Sequence, residues 1–221
     1  MQKIVIFGAK AFAEIAHYYF THDSPHTVAG FTVDSAYLTE STYNGLPVVP
    51  FEEVELHFSP DEYGMFVAIG FDRMNQLRAT KVAQAEAKRY QIVSFVSSKA
   101  DIATDLKILP NTMIMERAGI QPFVQIGKNT VIWSETRIGF HTRIGDNCWI
   151  TCALFGESVT IGDYSFVGLN ATIAPSVSIG RSNIIGAGAL VVHDTKEGEI
   201  YRGRASKASR VPSDRLRHFR R

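Results

Sequence analysis

From Ile102 to Val191 an aliphatic side chain returns at every sixth position, and no other feature of the chain constrains its fold as much. The series runs Ile102, Ile108, Ile114, Ile120, Ile126, Ile132, Ile138, Ile144 and Ile150, then Ile161, Val167, Ile173, Ile179, Ile185 and Val191. Four places on, a small or β-branched residue recurs, as at Thr130, Thr136, Thr142, Cys148, Ser165 and Ala171. Glycine often follows the aliphatic residue, as at Gly127, Gly139, Gly145, Gly162, Gly168, Gly180 and Gly186. A helix would repeat about every 3.6 residues and a half-buried strand about every two. A six-residue period predicts a solenoid of short parallel strands, each repeat forming one side of a triangular coil. The aliphatic residue fills the narrow interior, and the small one lets successive coils stack.

The period breaks once. From Ile150 to Ile161 is eleven residues, one short of two repeats, so the coil must bulge or tighten between Thr151 and Thr160. Both cysteines, Cys148 and Cys152, lie in this part of the repeat run. They read as small coil residues of a reducing compartment rather than as a disulfide framework, and no zinc-ligand spacing is present.

The 221 residues carry a formal net charge of +1, which argues against nucleic acid as the main partner. The first residues lack the basic-then-apolar pattern of a signal peptide. No apolar run reaches the roughly 18 residues of a membrane span. A cytoplasmic location is the expectation.

Residues 1–95 follow another rhythm. Apolar runs at 3–7, 27–33, 65–69 and 92–95 read as strands, and residues 9–20, 50–56 and 74–90 as helices. Strands alternating with helices predict a small parallel α/β sheet. The crevice at the carboxyl ends of its strands would hold Gly8, Asp34 and Gly70. Gly8, Ala9 and Lys10 stand where dinucleotide folds carry a glycine fingerprint, of which only the first glycine is present. A helix N-terminus there would attract an anion whatever its side chains, and a tight strand-to-helix turn explains the glycine equally well. Asp34 would accept hydrogen bonds from a ribose or base, or else is an ordinary loop aspartate.

Residues 3–13 (KIVIFGAKAFA), 30–34 (GFTVD), 67–70 (VAIG), 75–79 (NQLRA), 186–191 (GAGALV) and 203–207 (GRASK), with the whole repeat run, carry a family likeness. The chain resembles the sugar O- and N-acyltransferases of the left-handed β-helix class, of the sialic acid O-acetyltransferase and nucleotide-linked amino-sugar N-acetyltransferase type. The resemblance implies a small Rossmann-like domain at 1–95 that binds a nucleotide-linked sugar through Gly8, Ala9, Lys10, Asp34 and Gly70. It implies a left-handed parallel β-helix at 96–200 and a basic tail at 201–221. It further implies a homotrimer with acetyl-coenzyme A in the groove between neighbouring coils, near Gly168, Gly186, Ala187 and Gly188, and no metal. Lys207 and Arg210, directly after the last coil, are the candidates to meet the coenzyme's phosphates. Glycines that merely turn the corners of the coil are the competing explanation for the coil residues.

In the resembled enzymes a histidine serves as general base at the third position of a repeat such as 138–143. Here that position is Phe140, which would face the sugar, and His141 follows it. Some relatives carry a second histidine in the stretch matching Thr151, Cys152 and Ala153, where this chain has none. Either His141 has become the base, or a neutral sugar amine attacks the thioester unaided; a protein that has lost catalysis is a third reading. A weakened histidine site favours an amine over a hydroxyl acceptor. The Gly156 backbone amide is the candidate donor to the oxyanion. The expected activity is acyl transfer from acyl-coenzyme A to the amino group of a nucleotide-linked sugar for bacterial surface glycans. Sugar O-acetylation and non-catalytic binding are the alternatives.

Overall fold

The computed structural model describes residues 2–103 and 106–208. The front unit is a six-stranded sheet of β1 (Lys3–Phe7), β2 (Thr27–Val33), β3 (Thr42–Tyr43), β4 (Leu46–Pro50), β5 (Tyr63–Val67) and β6 (Gln91–Ile92). Its strand order is β3-β4-β2-β1-β5-β6, parallel except for the β3–β4 hairpin. Ile4, Val5 and Ile6 are wholly buried, because both faces of β1 are covered. Helix α1 (Ala11–His22) packs Phe12, Ala13, Ala16 and Phe20 on one face. Helices α2 (Val54–His57) and α3 (Gln76–Ala87) pack Val54, Val82 and Ala85 on the other.

Three departures from the sequence reading have local causes. The β3–β4 hairpin was not expected, yet Asn44 (φ 48°) and Gly45 (φ 76°) supply the paired positive φ values that a tight hairpin turn requires. Only the second turn of the helix expected at 50–56 is α-helical; Phe51–Glu53 is a 3₁₀ turn held behind Pro50. Of the strand expected at 92–95, Gln91–Ile92 closes the front sheet, whereas Phe95–Val96 pairs with Met113–Ile114 and opens the coil.

The rest of the described chain is a parallel β-helix of two-residue strands on three faces. The first face runs from Phe95–Val96 through Met113–Ile114, Val131–Ile132, Trp149–Ile150, Phe166–Val167 and Ile184–Ile185 to Ile200–Tyr201. The second runs from Asp101–Ile102 to Leu190–Val191, and the third from Gln125–Ile126 to Ser178–Ile179. The second residue of each pair points inward. Ile114, Ile132, Ile150, Val167 and Ile185 are all fully buried, each contributing about 1.5–3 kcal/mol by leaving water. Corner residues at Asn111, Asn129 and Asn147 take φ values of 54–59°, the left-handed region that asparagine tolerates better than most residues. Ile108 departs from its expected interior place: it is 37 % exposed and belongs to no strand.

The broken period resolves as a tightened corner. Between Val131–Ile132 and Arg137–Ile138 the corner has four residues, but between Trp149–Ile150 and Leu154–Phe155 it has only Thr151, Cys152 and Ala153. Cys152 turns it at φ 41°. Phe155 then takes the interior place, 2 % exposed, in register with Ile138 and Ile173. The ladder therefore continues unbroken across the deletion.

The front unit covers the first face of the coil. Outward-pointing Met113, Val131 and Trp149 are buried in one cluster with Phe12, Phe20 and Phe66.

Candidate functional site

In the front sheet β1 lies between β2 and β5, so the chain leaves it first to one side and later to the other. Such a switch point opens a crevice beyond the carboxyl ends of the strands, where α/β sheets bind their ligands. The sheet brings Gly8, Ala9, Lys10, Asp34 and Gly70 to that edge. Gly8, at φ 127°, donates its amide to the Thr32 carbonyl at 2.8 Å, and a Cβ there would stand 2.7 Å from the Ala68 carbonyl oxygen. Glycine is required by the turn itself, with or without a ligand. Lys10 is exposed at the N-cap of α1, where its carbonyl accepts the amides of Ala13 and Glu14. Ala9 lines a pocket of about 160 Å³ with Val33, Tyr37, Glu40 and Tyr43.

Asp34 is not a free acceptor. Its Oδ1 receives Lys81 Nζ at 2.5 Å, and the Lys81 ammonium lies 5.3 Å from the Phe7 ring centroid and 5.4 Å from that of Phe51. One carboxylate oxygen is thus committed within the protein, an arrangement the sequence reading did not foresee.

The loop after β5 is the most constrained part of the crevice. Arg73, Met74 and Asn75 all have positive φ (50°, 53° and 62°), three left-handed residues in succession, a costly conformation outside glycine. Arg78, fully buried, holds this loop. Its Nη1 donates to the Gly70 carbonyl (3.1 Å), the Ile69 carbonyl (3.3 Å) and Asn75 Oδ1 (2.9 Å). Nε donates to Asn129 Oδ1 (3.0 Å), and Nη2 to the carbonyls of Asn129 (3.0 Å) and Cys148 (3.2 Å). Burial pulls the guanidinium pKa down to about 9. An asparagine ladder extends the seam: Asn111 pairs with both backbone groups of Val67 and donates to Asn129, which donates to Asn147. Sequence reasoning quoted residues 75–79 but missed the role of Arg78; an arginine on the apolar side of a helix was the available signal.

On the coil, Phe140 and His141 sit at the corner between the second and third faces, away from the face that the front unit covers. Phe140 is 45 % exposed. His141 is exposed, takes φ 60°, and stacks on Phe123 of the preceding coil with centroids 4.8 Å apart and planes 13° from parallel. Gly156 does not present its amide: that N–H donates to the Ile173 carbonyl at 3.0 Å. A Cβ at Gly156 would meet Pro175 at 2.6 Å, so stacking explains this glycine.

Gly168, Gly186, Ala187 and Gly188 line the corner between the first and second faces. Gly168 is buried, and a Cβ there would stand 2.7 Å from the Ala187 nitrogen. Gly186 donates to the Tyr201 carbonyl at 2.7 Å. Ala187 and Gly188 are exposed, Gly188 at φ 66°. Lys207 is exposed beyond the last strand, and Arg210 lies outside the described residues. The structure therefore brings the crevice residues together and groups the four coil residues at one corner. His141 stands apart from both, on another edge of the coil. Among the described residues no group of His, Cys, Asp and Glu could hold a metal ion, and no helix is long and apolar enough to cross a membrane.

The fold is shared with solved structures over nearly its whole length. A mutant of perosamine N-acetyltransferase from Caulobacter crescentus, in complex with CoA and GDP-perosamine, matches with a TM-score of 0.79 at 22 % identity, covering 92 % of this chain and 94 % of that one. The acetyltransferase domain of PglB from Neisseria gonorrhoeae FA1090, in complex with acetyl coenzyme A, matches with a TM-score of 0.76 at 18 % identity, covering 91 % and 96 %. Among curated proteins, the bifunctional protein GlmU of Acinetobacter baumannii (strain AYE) is 27 % identical over 165 residues, which is 68 % of this chain and 36 % of that protein. The chain thus spans about a third of that relative's length. The putative acetyltransferase YvoF of Bacillus subtilis (strain 168) is 32 % identical over 98 residues, 44 % of this chain and 50 % of YvoF. No family model matches the chain. The many parallel strands in repeated sheets fit the left-handed β-helix of the hexapeptide-repeat acyltransferase structures.

Proposed function

We propose that this protein transfers an acetyl group from acetyl-coenzyme A to the amino group of a nucleotide-linked sugar, in the cytoplasm, for bacterial surface-glycan biosynthesis. The observation that carries this reading is the end-to-end likeness, front sheet and coil together, to an N-acetyltransferase in complex with CoA and GDP-perosamine. On this reading residues 1–95 form a Rossmann-like unit for the nucleotide-linked sugar, 96–200 the acyltransferase coil, and 201–221 a basic tail. The Gly8 turn and the α1 N-terminus receive the diphosphate. Ala187 and Gly188 line the path of the pantetheine arm, with Lys207 and Arg210 toward the coenzyme's phosphates.

A homotrimer follows from the same reading. The crevice abuts the first face of the coil, whereas Phe140 and His141 occupy the opposite corner. One chain cannot bring them to a common ligand. A neighbouring copy, packed side by side, would supply Phe140 and His141 to the crevice and cofactor corner of the first.

At this composite site the acceptor amine, bound neutral, attacks the thioester carbonyl, and the departing thiolate takes up the proton. His141 assists weakly at most, since its ring is stacked on Phe123 at an exposed corner. Incubation with acetyl-coenzyme A and a panel of nucleotide-linked amino sugars, read by free-thiol release, tests the assignment. Release with an amino sugar and none with its hydroxyl counterpart is the expected result. Binding without release by any of them would favour a non-catalytic sugar-binding protein, the reading that the replacement of the usual histidine by Phe140 supports.

A further inference from the structure

We propose that Phe71 is the platform on which the sugar ring of the acceptor stacks, an inference that rests on the crevice being a nucleotide-sugar site. Phe71 directly follows Gly70 and so projects from the switch point of the front sheet. Its ring touches the first face of the coil, 5.7 Å from the centroid of Trp149 and 4.8 Å from that of Phe166, tilted by 58° and 46°. It thereby stands at the junction of the crevice and the coil. Despite these contacts the side chain remains 52 % exposed.

That exposure is not slack in the loop. Arg78 grips the carbonyls of Ile69 and Gly70, the two residues before Phe71, and the left-handed run from Arg73 to Asn75 begins two residues after it. Trp149 and Phe166 fix one side of the ring and leave the other to solvent. A phenylalanine has no hydrogen-bonding atom, so its free face recognises a ligand by apolar and π contact rather than by a hydrogen bond. A pyranose offers such a surface in the C–H bonds of one ring face, and ligand pockets commonly set an aromatic wall beside a few orienting polar groups. A ring already locked in place loses little freedom when the sugar settles on it.

The test compares the nucleotide-linked sugar with its nucleotide alone. Calorimetry would use GDP-perosamine and its UDP- and dTDP-linked counterparts, each beside the free nucleoside diphosphate. For whichever sugar the wild type binds, Phe71→Ala is expected to weaken affinity about tenfold or more, leaving the nucleoside diphosphate within about twofold. Phe71→Tyr should keep the sugar within about threefold of wild type. Equal losses for sugar and nucleotide, or no loss for either, would overturn the proposal. So would a wild type that gains no affinity from the sugar over the nucleotide, although the nucleotide crevice would then stand. A wild type that binds none of these ligands would overturn the crevice reading, and the platform with it.

Discussion

Arg78 Nε donates to the side-chain oxygen of Asn129 at 3.0 Å, joining the front sheet's last helix to a corner of the coil across 51 residues of sequence. Among the described residues no carboxylate shares this contact: the guanidinium is met by backbone carbonyls and asparagine side chains. Removing it strands buried acceptors on both sides of the seam, each costing about 1–3 kcal/mol. Arg78→Leu should therefore lower unfolding free energy by about 3–5 kcal/mol in urea titrations. A loss below about 1 kcal/mol would mean that the seam tolerates the gap.

A second prediction concerns alkaline stability. Burial pushes the Cys148 thiol from its ordinary value near 9 up to about 12. Between those values the native state holds a proton that the unfolded chain has lost, so stability falls as pH rises. The contribution is complete below about pH 9 and declines by up to about 1.4 kcal/mol per pH unit above it. Arg78 acts oppositely, because burial lowers its pKa and the native state binds fewer protons above about 9. Comparing wild type with Cys148→Ala isolates the thiol. The wild-type advantage measured at pH 8 should shrink by about 1 kcal/mol at pH 10; a constant difference would contradict the assignment.

Much of this architecture was legible from spacing alone. The six-residue period predicted the inward strand residues, Ile108 excepted, because each two-residue strand of the coil turns one side chain inward. The deletion after Ile150 could be located but not its form, since nothing in the period said that Phe155 would step into the interior place. The partner of the first face was hidden for another reason. Met113, Val131 and Trp149 sit at outward places and are apolar, which signals a covered face only once inward and outward places are told apart. The candidate site was less legible, because its corners are set by stacking geometry. His141 and Gly188 lie 47 positions apart in sequence, and only the order of the faces puts them on different edges.

The Asp34–Lys81 pair is the part of the crevice most open to measurement. Both side chains are largely shielded, at 23 % and 11 % exposure, so the pair should exceed the roughly 1 kcal/mol ceiling of exposed ion pairs. A double-mutant cycle with Asp34→Ala and Lys81→Ala should return a coupling of about 1–2 kcal/mol in stability. If the free carboxylate oxygen also binds the ligand, Asp34→Ala weakens nucleotide-sugar affinity by about 1–3 kcal/mol in calorimetry. Unchanged affinity would leave Asp34 with a structural role alone.

For His141 the expectation is a small effect. His141→Ala should lower the turnover number by less than about tenfold, with sugar affinity intact, and the rate should rise with pH as the acceptor ammonium deprotonates. A loss of roughly 10²–10⁴-fold, with coenzyme binding preserved, would instead make His141 the general base.

The composite site makes the sharpest prediction. If Phe140 of one copy faces the crevice and the Ala187 corner of its neighbour, damage at the two places falls on different halves of each interface. Phe140→Asp puts a charge at one half and Ala187→Glu blocks the other, so each homotrimer should be inactive. Both positions are exposed corner residues in the single chain, and each copy keeps its own core. In trimers assembled at random from equal amounts of the two variants, about one interface in four joins an intact Phe140 corner to an intact Ala187 corner. Co-expression should then restore about a quarter of wild-type thiol release. Native mass spectrometry on the same sample, which separates the mixed trimers from both homotrimers by mass, checks that mixed trimers have formed. Mixed trimers without recovered activity would mean that each chain completes its own site, and the shared-site geometry would fall.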